Sequence, residues 1–152
     1  MKTTTLRTEA VPALSLISEE ELAAVVATVL RDHDDLEQST AERIVEEALK
    51  FVAACAAFPG ERLRPSRAVD KGWHALILHT HTYERLCSRL GRFVHHMPDL
   101  PAHVAASAEA LERAPEVMTT AGYEPDRTLW LQPSGAAECC DYCPFPKDKE
   151  RH

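Results

Sequence analysis

The 152-residue chain lacks the long apolar runs, repeats and alternating patterns on which several large protein classes depend. No apolar run approaches the roughly 20 residues that a membrane-spanning helix needs, so no membrane association is expected. No internal repeat occurs, and no alternation of polar and apolar residues is long enough to require a β-sheet. A composition that is 45% hydrophobic and 27% charged is typical of a globular domain, and the length suits a single one.

Positive charge is also scarce. The 17 Lys and Arg residues stand against 24 Asp and Glu residues, which gives a formal net charge of −7. Because nucleic-acid-binding proteins normally present a basic face, nucleic acid is not an expected partner. The first residues lack the apolar core of a secretory signal, and Glu9 lies among them. The expected compartment is the cytoplasm, where the five cysteines would be thiols or metal ligands rather than disulfides.

Helical signals begin after a short unpatterned segment. Residues 1–15 are rich in threonine, and we expect a flexible arm there. Ser18 and Glu21 have the spacing of a capping box, which predicts a first helix that ends near His33. A second capping box at Ser39 opens the next predicted helix.

The second predicted helix buries one face. It ends near Phe58, before Pro59-Gly60, and Cys55 lies in its apolar stripe as an ordinary core residue. A third helix is predicted from a cap at Ser66 to Leu90, followed by a stop at Gly91.

The C-terminal third continues the helical pattern and ends in a cysteine-bearing tail. Asp99-Leu100-Pro101 predicts the start of a fourth helix, and Pro115 the start of a short fifth one that Gly122 closes. The fold class is therefore all-α: one domain of four to five helices over residues 16–132. Residues 133–152 form the expected flexible tail.

Five of the eight histidines lie between Ser66 and Pro98. Asp70 and His74 are four residues apart, so a helix places both on one side. That spacing suits two metal ligands, or a histidine with the carboxylate that orients it. The return segment, Arg92–Pro98, would bring His95 or His96 beside them as a third ligand. Because neighbouring residues of an extended segment point opposite ways, we expect one of the two to face the site.

Other side chains of the third helix surround this predicted cluster. His81 shares the flank of Asp70 and is a candidate auxiliary ligand, whereas His79 projects away and is expected to face solvent. The predicted site wall consists of Trp73, Thr80, Tyr83 and Cys87. Cys87 could also act as a nucleophile if one of the two return-segment histidines activates it.

The same stretch resembles a family signature, V-D-x-x-W-H-x-x-I-L-x-T-x-x-Y-x-x-x-C-x-x-x-G-x-x-x-H-H-x-P. Its residues are Val69, Asp70, Trp73, His74, Ile77, Leu78, Thr80, Tyr83, Cys87, Gly91, His95, His96 and Pro98. The chain is similar, from about residue 39, to bacterial relatives of the glycine-rich domain-containing-protein-like family. Some relatives carry a further histidine where this chain has Leu76. The resemblance implies a fold and a site, without a reaction.

Two interpretations of the Asp/His cluster stay open. In the first, the cluster binds a divalent ion, zinc or iron, and Asp70 either ligates it or orients His74. If the protein is an enzyme, that ion would activate water or O₂ on a small-molecule substrate. In the second, the histidines and the aspartate form a metal-free polar latch in a non-catalytic module that binds a protein partner.

The tail carries a separate candidate site at Cys139, Cys140 and Cys143. The last two have the C-x-x-C spacing of a zinc knuckle or a redox pair, and Cys139 adds a third thiolate. This cluster indicates a second metal site or a thiol-exchange site, as in a redox or metallochaperone protein. Free cytosolic thiols are the alternative interpretation.

Overall fold

The computed structural model describes residues 12–96 and 104–131, with backbone alone for residues 104–107. These residues contain α1 (Glu19–Asp32), α2 (Gln38–Ala57), α3 (Arg67–Leu78), α4 (Thr80–Leu90) and α5 (Val104–Thr120), with short 3-10 helices at Ala13–Leu16 and Arg127–Trp130. No strand occurs among them, so the all-α prediction is confirmed. None of the described helices is both long and apolar enough to cross a membrane.

Of the two predicted capping boxes, the one at the start of α1 is present and the one at the start of α2 is not. At α1 the predicted capping box is present, since Ser18 Oγ accepts from the Glu21 amide at 3.1 Å and the Ser18 amide donates to Glu21 Oε1 at 2.8 Å. At α2 the predicted box is wrong, because the helix already begins at Gln38. The Gln38 side-chain amide donates to the Glu42 carboxylate at 2.9 Å, so that carboxylate has a different partner.

The central helix is α2, which contacts α1, α3, α4, α5 and the first 3-10 helix. Its buried face includes Ile44, Phe51 and Val52. The first 3-10 helix adds Ala13 and Leu16 to the same core, so the folded domain begins inside the segment expected to be a flexible arm. Apolar burial around α2 is the main stabilising contribution to this fold.

The chain divides into two helices where one was predicted. The helix from Ser66 breaks at His79, whose φ of −89° and ψ of 77° end α3 and precede α4. His79 Nε2 lies 2.7 Å from the buried Thr28 hydroxyl of α1. The prediction that His79 faces solvent is therefore wrong, because a hydrogen bond between helices holds it half-buried.

A glycine lets α3 approach α2 closely. A Cβ added at Gly72 would lie 2.7 Å from the Ile44 carbonyl oxygen and 3.0 Å from Ala48 Cβ. The glycine that lowers helix propensity here thus permits close contact of the two helices. Gly91, as predicted, ends α4 with a left-handed φ of 90°.

The predicted break at Pro115 is wrong, because α5 continues through this residue to Thr120. A proline inside a helix removes one backbone hydrogen bond and its ring crowds the carbonyl of the preceding turn, at a cost of about 3 kcal/mol. Ala114, Pro115, Val117 and Met118 are all buried, and this burial offsets the missing bond. Gly122 closes the segment with a φ of 99°, whereas the predicted helix start at residues 99–101 lies outside the described residues.

Candidate functional site

A buried carboxylate and an imidazole meet at the first turn of α3. Ser66 caps this helix, since its hydroxyl accepts from the Val69 amide at 3.2 Å, and Asp70 follows in the first turn. Asp70 is only 3% exposed. Beyond the left-handed turn at Gly91, the return segment brings His96 Nε2 to 2.7 Å from Asp70 Oδ1. The pair joins α3 directly to the return segment.

The imidazole of His96 packs against an aromatic wall. Its ring centroid lies 4.4 Å from that of Trp73, with the ring planes tilted by 49°. Trp73 itself packs edge-on against Phe51 of α2, with 5.1 Å between centroids, and its indole N–H donates to the Tyr83 hydroxyl at 3.0 Å. The predicted wall residue Trp73 therefore contacts the ligand candidate on one side and the core on the other.

His74 lies one turn after Asp70 and is half-buried. Burial lowers its pKa, and the nearby His96 and His33 lower it further, while the carboxylates of Asp70 and Asp32 act in the opposite direction. The net lowering of the pKa favours the neutral imidazole at pH 7, which is the protonation state in which histidine binds metal ions. We define the Asp/His cluster as Asp70, His74 and His96.

The influence of Asp32 and His33 on the pKa of His74 shows that the end of α1 lies near the cluster. The residues next to His33 in the sequence suggest no partner for its side chain. The structure finds it half-buried at the end of α1, near enough to His74 to affect the pKa of that imidazole.

The remaining predicted site residues divide clearly. His96 faces Asp70, whereas His95 is exposed with its ring centroid 4.7 Å from that of Phe93. His81 and Thr80 are exposed, so Thr80 does not belong to the buried wall. Tyr83 and Cys87 are buried, at 3% and 2% exposure. Cys139, Cys140 and Cys143 lie outside the described residues.

The cluster has the donor chemistry of a metal site, and its present geometry is closed. Among the described residues, no three His, Cys, Asp or Glu side chains are grouped closely enough to hold an ion. The 2.7 Å between Asp70 Oδ1 and His96 Nε2 is shorter than the roughly 3.3 Å between two ligand atoms on tetrahedral zinc with bonds of about 2.0 Å. Binding would require this pair to separate by about half an ångström or more, and all three side chains of the cluster to come within bonding distance of one ion.

A second buried polar group, the Glu47 carboxylate, was not predicted from the sequence. Glu47 of α2 is 0% exposed, and its Oε2 accepts from the Trp130 indole and from the Asp126 amide, both at 2.7 Å. Its Oε1 makes no hydrogen bond of good geometry, yet it lies 3.1 Å from Lys50 Nζ, which provides an ion pair. We call these four residues the Glu47 cluster; they fasten the second 3-10 helix to α2.

A sequence signal for Glu47 did exist. The residue lies three positions after Ile44 and four before Phe51, so a glutamate falls within the apolar stripe of α2. A charged residue on a buried helix face requires a partner. The partner could not be identified, because Trp130 lies 83 residues further along the chain.

Comparison with protein families assigns the chain to a family. The family model described as UCP032817-like matches residues 14–119, which is more than half of the sequence. The protein therefore belongs to the UCP032817-like family. The match covers the Asp/His cluster and α2, and it ends before the 3-10 helix at Arg127–Trp130. No curated protein and no solved structure matches the chain.

Proposed function

We propose that the protein binds a divalent metal ion, zinc or ferrous iron, through Asp70, His74 and His96. The observation that carries this proposal is the 2.7 Å contact between Asp70 Oδ1 and His96 Nε2 beside a half-buried His74. One carboxylate and two imidazoles are ligands that both ions accept. The direct contact is then the metal-free state, in which two ligands satisfy one another.

The surroundings of the cluster favour this use of its residues. Burial of Asp70 leaves a carboxylate with little water to compete for a cation, and the lowered pKa of His74 favours the neutral imidazole, which is the form that binds metal ions. Three protein ligands leave a coordination position open, where a bound zinc or iron ion could activate water or O₂. His95 and His81, both exposed, are not assigned as ligands.

A structural latch is the second candidate function. The short contact between Asp70 and His96, together with the packing of His96 on Trp73, ties the return segment to α3 without any ion. In that case the domain would be a non-catalytic interaction module. The two candidates share one hydrogen bond and differ in whether that bond opens.

Metal content separates the candidates. Protein purified without a histidine tag should contain one equivalent of metal by mass spectrometry, and His74→Ala should reduce it strongly. His81→Ala, a matched change of an exposed histidine, should retain the metal. Substoichiometric metal in the wild type after reconstitution with zinc or iron would favour the latch. Metal that survives His74→Ala but is lost on deletion of residues 139–152 would assign it to the cysteines.

A further inference from the structure

The position of His96 depends on a segment with little buried surface. In the return segment Arg92, Phe93 and His95 are exposed, whereas Val94 is buried and His96 is half-buried. A segment of this kind has few contacts to fix its path. Whatever holds Val94 therefore also decides whether the imidazole two residues later reaches its carboxylate on α3.

Tyr83 of α4 is the side chain that meets this segment in two ways. Its hydroxyl donates a hydrogen bond to the Val94 carbonyl oxygen, and its ring meets the Phe93 ring edge-on with 5.4 Å between centroids. The same hydroxyl accepts from the Trp73 indole, whose rings pack on His96. Burial raises the pKa of Tyr83, so the phenol keeps the proton that it donates.

We propose that Tyr83 is a positioning residue for the metal ligand His96. Its hydroxyl fixes the Val94 carbonyl on one side and the Trp73 indole on the other, and these two hold the imidazole against Asp70. The inference rests on the proposed metal site, since it assigns Tyr83 a part in binding that ion. Phenylalanine at this position would keep the ring contacts and leave a buried carbonyl and a buried indole N–H without this partner.

The affinity for zinc, measured by competition with a chelating dye on the full chain, tests this role. Partners that orient metal ligands typically contribute tenfold to a hundredfold in affinity, so Tyr83→Phe should lose at least about tenfold. Tyr123→Phe is the matched control, because burial also raises the pKa of Tyr123, which is half-buried and lies beyond α5. Its affinity for zinc should equal that of the wild type.

A double-mutant cycle separates positioning from general stability. In a His96→Ala background, Tyr83→Phe should cause no further loss of zinc affinity, because the ligand that it positions is absent. A loss by the same factor in both backgrounds would overturn the inference. Should Tyr83→Phe fail to fold, Trp73→Phe removes the indole N–H of the same relay, and the same coupling to His96 is expected.

A metal-free measurement distinguishes failure of this inference from failure of the metal site. In the wild type with EDTA, the Trp73 ring at 4.4 Å should displace the Hδ2 resonance of His96 by its ring current. Tyr83→Phe should return this resonance toward its random-coil position, and Tyr123→Phe should not. If the wild type binds no zinc, the proposed function fails and this shift still decides the positioning. An unchanged resonance in Tyr83→Phe would refute the positioning in either case.

Discussion

Among the residues that the structure describes, two buried carboxylates each contact a later segment of the chain, and their partners differ in kind. Glu47 is bonded by an indole N–H and a backbone amide and lies beside the Lys50 ammonium. These donors do not exchange their protons for a metal ion at neutral pH. Asp70 instead meets His96, whose ring nitrogens can bind either a proton or a metal.

Burial of an acid therefore does not by itself indicate a functional site. At the Glu47 cluster, two N–H donors that keep their protons bond one carboxylate oxygen, and the Lys50 ammonium lies beside the other. The Glu47 side chain therefore stabilises the attachment of residues 126–130 to α2. At the Asp/His cluster, the partners are groups whose state can change. Reactivity therefore depends on what surrounds the carboxylate.

Removal of the Glu47 side chain should have the largest effect on stability. Glu47→Ala leaves the Trp130 indole, the Asp126 amide and the Lys50 ammonium without this partner, and such a break in a buried pair costs about 3–5 kcal/mol in free energy of unfolding. Urea denaturation measures it. Glu42→Ala, an exposed glutamate of the same helix, is the control and should change stability by less than about 0.5 kcal/mol. A similar small change in both variants would mean that Glu47 is not a structural anchor.

The contact between α2 and α3 connects the two regions, and it can be disturbed at one residue. Gly72→Ala places a Cβ 2.7 Å from the Ile44 carbonyl oxygen, so the helices must separate. Overpacking costs about 1–3 kcal/mol, and the higher helix propensity of alanine offsets up to about 1 kcal/mol. We expect a net loss of about 1–2 kcal/mol by urea denaturation. Gly60→Ala, with open space around its Cβ, should not lose stability; an equal loss there would contradict the proposed clash.

Exchange of each acid for its amide should affect the two clusters differently, in stability and in metal content. Glu47→Gln removes the charge opposite Lys50 and should lower the free energy of unfolding by about 1–3 kcal/mol without any effect on metal content. Asp70→Asn keeps an oxygen that can accept from His96, so its stability should fall by less, about 1 kcal/mol. Its metal content, by mass spectrometry, should fall strongly. The opposite pattern would exchange the roles assigned to the two carboxylates.

Most of the correct predictions about the fold concern local interactions, although the local capping signal at Ser39 was wrong. The capping box at Ser18, the stop at Gly91 and the helical periodicity all depend on neighbours within a turn or two. The break at His79 was not predictable, because it accompanies a hydrogen bond to Thr28, 51 residues earlier in the chain. The continuation of α5 through Pro115 was not predictable for a related reason. The burial that offsets the cost of this proline depends on tertiary packing.

The candidate site follows the same rule. Asp70 and His74 were predictable as a pair because they occupy one side of one helix. The selection of His96 over His95 required the path of the return segment, which contacts of the folded chain determine. The effect of Asp32 and His33 on His74 also required the packing of α1 against α3.

The smallest expected effect is a dependence of stability on pH that arises from a histidine. The Asp/His cluster contains such a residue, His74, and the Glu47 cluster contains no histidine. The pKa of His74 is lowered in the folded protein, chiefly by burial, so below pH 6.5 the unfolded chain binds a proton that the folded chain resists. The cost is absent well above pH 6.5 and develops as the pH falls through this value toward the lowered pKa. Measured in EDTA between pH 7.5 and 5.5, the free energy of unfolding should fall less steeply in His74→Gln than in the wild type. Replacement of the exposed His81 by glutamine should leave the slope of stability against pH unchanged. Equal slopes in all three proteins would contradict the prediction, because the folded protein would then accept a proton at His74 as readily as the unfolded chain does.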